Sequence, residues 1–94
     1  MTIQEILDAG NYHLVLVDVR EPMELITDGA IEGALNVPLS ELEERKDEIL
    51  NLKGNIIFFC KSGGRSGKAV DFFKEKGISN IYNGGGYNDL SKLV

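Results

Sequence analysis

Apolar residues in this chain fall into short blocks of two kinds. "HLVLVDVR" (residues 13–20) and "NIIFFC" (residues 55–60) are nearly continuous apolar runs, rich in β-branched and aromatic side chains. Such runs are too short for buried helices and predict buried strands, from about Leu14 to Val19 and from Asn55 to Cys60. Around them the spacing becomes helical. Ile3, Ile6 and Leu7 share one face of a helix running to about Gly10, with Thr2 and Glu5 in capping-box register. "EPME" opens a short helix with Pro22 at its first position. "GALNVP" holds a short strand ended by Pro38. Ser40 and Glu43 repeat the capping-box pattern and predict a helix to about Asn51. From about Arg65 to Lys76 a helix buries Ala69, Val70, Phe72 and Phe73, and Gly77 suits its stop. "NIYN" (residues 80–83) reads as a last short strand and "YNDLSKLV" as a terminal helix.

Strands alternating with helices over short connections predict an α/β domain with a mainly parallel sheet. In such sheets, ligands sit beyond the carboxyl ends of the strands, at the switch point of the winding. Two segments have the polarity to meet there: "DVREP" after the first strand and "CKSGGRSG" after the third.

A chain of 94 residues is one small domain, read here as residues 1–94. One cysteine rules out an internal disulfide. One cysteine and one histidine argue against zinc, and no metal or other cofactor is expected. His13, just before a strand, reads as a surface residue. The net charge of −5 disfavours nucleic acid. Much of the acid lies in "SELEERKDEI" (residues 40–49), read as a solvated helix face. "MTIQEILDAG" is too short and polar for a secretion signal, and no apolar run reaches membrane-spanning length, so a cytoplasmic protein is expected.

Around Cys60 the charge balance reverses. Lys61, Arg65 and Lys68 are near, with no acid from 60 to 70. Gly63, Gly64 and Gly67 permit tight turns in which successive N–H groups point inward as an anion nest. The following helix adds its N-terminal dipole, and Arg65 a planar fork for oxyanions. These features favour a thiolate at Cys60 and suit nucleophilic attack on an anionic substrate. The plainer reading is a cysteine acting as a small buried hydrophobe at a strand end. "GGRSG" lacks the spacing of a nucleotide phosphate loop.

Three segments together resemble the rhodanese-like, or sulfurtransferase, family. "LVDVREPME" (residues 16–24) resembles its first signature and "GAIEGALNVP" (residues 29–38) the continuation. "CKSGGRS" resembles the active loop, which begins with the nucleophilic cysteine. "GISNIYNGGG" resembles the last strand and paired glycines. Ala30 stands where the family usually has histidine, Leu90 lies near the place of a frequent tryptophan, and no short strand precedes Thr2.

The resemblance implies a three-layer α/β/α domain whose sheet of about four strands runs last, third, first, second. It implies sulfane-sulfur transfer through a Cys60 persulfide, from thiosulfate or a protein persulfide to cyanide or a thiol, with no nucleic acid or membrane involved. The N–H groups of residues 61 to 65 would cradle the persulfide. Lys61 and Arg65 would hold the anionic donor, with Ser62, Gly63, Gly64 and Ser66 completing the loop. Asp18, Arg20 and Glu24 would support the site, as a salt-bridged pair or trio or more directly. Two alternatives stay open. One is a cysteine phosphatase or arsenate reductase, whose loop has the longer spacing Cys-x₅-Arg where this chain has Cys-x₄-Arg. The other is a non-catalytic binding module of the same fold.

Overall fold

The computed structural model describes residues 2–8 and 14–94. His13 and the end of the first predicted helix lie outside the described residues.

Among the described residues, five α-helices and four strands alternate. They are α1 (Ile3–Asp8), β1 (Leu14–Asp18), α2 (Pro22–Asp28), β2 (Leu35–Asn36), α3 (Lys46–Leu50), β3 (Asn55–Cys60), α4 (Gly64–Lys74), β4 (Ile81–Gly86) and α5 (Tyr87–Ser91). The strand order is β2-β1-β3-β4 and all three pairings are parallel. This is the α/β sheet that the residue pattern predicts and the strand order that the family resemblance implies.

The period-two alternation of β3 explains the layers. Ile56, Phe58 and Cys60 face one core with Val17, Val19, Ile49, Ala69, Val70 and Phe73. Ile57 and Phe59 face the other with Ile6 and Leu90. Helices α3 and α4 therefore cover one face, and α1 and α5 the other. Both faces of β3 are dry, as its continuous apolar run requires. The Phe58 and Phe73 rings stack at 5.6 Å between centroids. Burying such a side chain is worth about 1.5–3 kcal/mol. Leu90 is 1% exposed and fills the second core, a packing role.

Local signals account for the helix starts. Glu5 N–H donates to Thr2 Oγ1 (3.1 Å), and Thr2 N–H donates to Glu5 Oε1 (2.8 Å), the expected capping box. Pro22 opens α2, and Glu21 N–H donates to Glu24 Oε2 at 2.9 Å. Gly77 takes φ +86 just past α4, a left-handed conformation that glycine accepts without strain.

The predicted helix from Ser40 to Asn51 is broken. A 3₁₀ turn spans Leu39–Glu41, irregular turns follow, and α3 begins only at Lys46. Leu39 N–H is drawn to the Val19 carbonyl at the end of β1 (3.0 Å). The Ser40 hydroxyl donates to Glu21 Oε2 instead of capping a helix. Tertiary bonds to the end of β1 and to Glu21 thus hold Leu39 and Ser40 where the helix was expected to start. The last strand also runs three residues beyond the predicted "NIYN", to Gly86. It carries a bulge: Phe58 pairs with Asn83, but Cys60 pairs with Gly86. The extra residue re-aims the strand end beside the cysteine loop.

Candidate active site

Cys60 is the last residue of β3. Strand parity points its side chain to the α4 face, and the loop Lys61–Gly63 then turns the chain directly into α4. A shift of one residue would aim the thiol at the opposite layer. Gly63 makes the turn at φ +96, in the left-handed region, and its N–H donates to Cys60 Sγ at 3.0 Å. Ser66, one turn into α4, is fully buried, and its Oγ lies 3.5 Å from Sγ.

Burial pushes the Cys60 thiol up. The Ser66 hydroxyl and the N–H groups of Ser66, Ser62 and Gly63 outweigh that effect and bring it down to about 7. An ordinary thiol titrates near ~8.5. Hydrogen bonds from the loop and the first turn of α4 thus lead the lowering, ahead of the cations that the sequence pattern suggests. The donors facing the sulfur come from residues 62, 63 and 66, a set offset from the expected 61 to 65. Lys61 and Gly64 are exposed.

Arg65 is not a free cation over the loop. Its Nη1 and Nη2 donate to Glu24 Oε2 and Oε1 at 2.8 and 2.9 Å. The guanidinium holds the Glu24 carboxyl at about 2, far below its usual range. Glu24 in turn raises Arg65, with smaller contributions from the charges of Cys60 and Asp18. The local excess of positive charge read from residues 60 to 70 is therefore partly neutralised from α2.

Asp18 and Arg20 form a buried pair, each 1% exposed. Arg20 Nη2 donates to Asp18 Oδ2 at 2.7 Å and Nε to both carboxylate oxygens; Arg20 N–H also donates to Oδ1. Arg20 further donates to the Gly29 carbonyl and lies 4.4 Å from the centroid of the Tyr87 ring. Glu24 bonds Arg65 and acts on Arg20 only through its charge, so of the expected pair or trio the salt bridge is the pair. By strand parity Asp18 belongs to the α5 face, opposite the Cys60 side chain. A cleft of about 230 Å³ opens on that side, lined by Arg20, Asp28, Lys61, Tyr87 and Asn88. Ala30 is exposed at a shallow groove with Leu16, Ile31, Glu32, Ser91 and Val94.

Two features had weak sequence signals. Asn83 on β4 joins Ser66, Gly63 and Gly85; its one hint was a poor strand former just before three glycines. Gly86 packs its Cα against the loop, and a Cβ there would stand 2.6 Å from the Lys61 carbonyl oxygen. Among the described residues no group of three or more His, Cys, Asp or Glu side chains could hold a metal ion. No described helix is long and apolar enough to cross a membrane.

Residues 2–92 match the family model described as "Rhodanese-like domain". An uncharacterized protein of Bacillus subtilis, YqhL, is 41% identical over 80 residues, covering 85% of this chain and 62% of its own length. The thiosulfate sulfurtransferase PspE of Escherichia coli is 33% identical over 76 residues, covering 80% of this chain and 72% of its own. A crystal structure of a rhodanese-related protein from Thermoplasma volcanium superposes with a TM-score of 0.75 at 35% identity, covering 97% of this chain and 90% of that one.

Proposed function

The chain belongs to the rhodanese-like family, and on that premise we propose that it is a sulfurtransferase working through a persulfide on Cys60. One observation carries the reading. The Cys60 sulfur lies at the end of β3, held by the Gly63 N–H at 3.0 Å and the Ser66 hydroxyl at 3.5 Å, with its thiol brought down to about 7. About half of such a thiol is thiolate at neutral pH.

The thiolate attacks the outer sulfur of thiosulfate. A bond forms between Cys60 Sγ and that sulfur, the sulfur–sulfur bond of thiosulfate breaks, and its electron pair leaves with sulfite. An acceptor, cyanide or a thiolate, then attacks the outer sulfur of the persulfide, and Cys60 leaves as thiolate. The N–H groups of Ser62, Gly63 and Ser66 hold negative charge on sulfur through both steps. Lys61 supplies an exposed cation beside the loop, and Gly64 opens the helix whose N-terminus faces the anion. Arg65, neutralised in part by Glu24, also interacts with the charge of Cys60. Asp18 and Arg20 brace the strand end. A protein persulfide would serve as donor by the same step, its outer sulfur passing to the thiolate and its own thiolate leaving. A reducing compartment such as the cytoplasm keeps a lone thiol ready.

The four-residue spacing from Cys60 to Arg65 favours sulfur over a tetrahedral oxyanion, which needs room for several oxygens. Intact mass after incubation with thiosulfate tests the proposal. One added sulfur atom, removed by cyanide and absent in Cys60→Ser, is expected. Aryl-phosphate hydrolysis without persulfide formation would replace this reading with the phosphatase one.

A further inference from the structure

The amide of Asn83 makes three hydrogen bonds. Its Oδ1 accepts from the Ser66 hydroxyl at 2.6 Å and from Gly85 N–H at 2.9 Å, and its Nδ2 donates to the Gly63 carbonyl at 3.0 Å. Two of these partners fix which way the amide points, since a backbone N–H only donates and a carbonyl only accepts. Ser66 therefore meets an oxygen and must donate to it.

A hydroxyl has one proton. While Ser66 gives it to Asn83, Ser66 Oγ can only accept from Cys60, whose Sγ is 3.5 Å away. In the thiol form the chain of bonds runs from the Cys60 S–H to Ser66 and from Ser66 to Asn83. The thiolate needs the opposite: Ser66 turns its proton onto the sulfur, and Asn83 Oδ1 keeps Gly85 N–H alone.

We propose that Asn83 is a positioning residue that sets the balance between thiol and thiolate at Cys60, by competing with the sulfur for the single proton of Ser66. The charged groups nearest the loop are Lys61 from the loop itself and Arg65 from α4 with its partner Glu24 from α2, while the Asp18–Arg20 pair at the end of β1 lies on the opposite face of the sheet. They are common to both arrangements. Strand β4 adds no charge from residues 83 to 86. Asn83 is itself exposed and bonds Ser66 and Gly63, so its influence passes through Ser66 and, separately, through Gly63.

The inference gives the proposed nucleophile a regulator and takes its significance from the sulfurtransferase reading, but its test requires no sulfur donor. The rate of Cys60 alkylation by iodoacetamide is measured against pH in the wild type, Asn83→Ala, Ser66→Ala and the double variant. Asn83→Ala releases the Ser66 proton to the sulfur. Its shift of the midpoint should be more downward by ~0.5–1 unit than the shift it produces in the Ser66→Ala background, the worth of one hydrogen bond. The contribution of Asn83 through Gly63 persists in the Ser66→Ala background, so the difference between the two shifts cancels it. Equal shifts in the two backgrounds would overturn the proposal and leave Asn83 as a fastener of the loop. If Asn83→Ala does not fold, Asn83→Asp serves. A carboxylate competes harder for the proton, so its midpoint should rise, and rise less when Ser66 is absent; an equal rise in both backgrounds overturns the proposal as well. Persulfide formation, assayed separately by mass, reports on the sulfurtransferase reading alone.

Discussion

Arg65 of α4 and Glu24 of α2, 41 positions apart, form a two-pronged ion pair at 2.8 and 2.9 Å. It ties the helix that follows the cysteine loop to the helix that follows β1. It also returns to the loop an acidic charge that the neighbouring sequence lacks. Arg65 is 34% exposed and Glu24 28%, so water screens the pair, and its contribution is ~1 kcal/mol or less.

Glu24 titrates at about 2 in the fold, below its ordinary ~4.3. A lowered carboxylate contributes stability above its unfolded value and loses it as the pH falls through the folded one. Glu24→Gln should therefore melt below the wild type at pH 6, and the gap should close between about pH 4 and pH 2. A gap that persists undiminished at pH 2 would show that the loss is one of packing.

Cys60 follows the same sign. Its thiol sits at about 7 in the fold and near ~8.5 unfolded. The alkylation midpoint should fall near 7, and Ser66→Ala should raise it. The stability difference between wild type and Cys60→Ser should grow in favour of the wild type from pH 7 to pH 9, by on the order of 1–2 kcal/mol. An alkylation midpoint at or above that of a free thiol would return Cys60 to the role of a small core residue.

Arg20→Ala leaves the Asp18 carboxylate buried without its partner. Removing one member of a buried pair costs about 3–5 kcal/mol, a large share of a small domain's stability. Urea denaturation should show that loss, with Arg20→Lys keeping part of it. Because the pair lies on the opposite face of the sheet from the thiol, the alkylation midpoint of folded Arg20→Lys should stay close to the wild type. A shift as large as that from Ser66→Ala would make Arg20 part of the site's electrostatics.

Gly86→Ala tests the close approach of β4 to the loop. The new Cβ would stand 2.6 Å from the Lys61 carbonyl oxygen, a backbone atom that cannot swing aside. Overpacking of this kind costs ~1–3 kcal/mol. The loop must move, so the Cys60 midpoint should rise as melting falls. Gly64→Ala, where a Cβ meets nothing within 4 Å, is the control and should leave both nearly unchanged.

Where the residues alone were legible, the reason is local. The continuous apolar run of β3 requires both faces to be buried, and strand period then aims Cys60 at α4 and Phe59 away from it. Thr2 with Glu5, and Pro22 at the start of α2, act within one helical turn, so their effect can be read from spacing. Ser40 shows the limit of that logic. The same capping pattern fails there because the end of β1 and Glu21, distant in sequence, claim Leu39 and Ser40 first.

Most of the elements, the parallel α/β layering and the place of the thiol between a buried strand and a glycine turn are legible in the residues alone. These follow from hydrophobic period and backbone freedom, which each residue carries with it. The tertiary structure decided which charges meet: Glu24 with Arg65, Asp18 with Arg20 alone, and neutral Asn83 over Ser66. Those choices depend on the winding of the sheet and on one bulge in β4, which set distances between atoms that no local spacing specifies. Hydrogen bonds and ion pairs act over about 3 Å. A single residue of register therefore separates a cation left open to an anion from one held by a carboxylate.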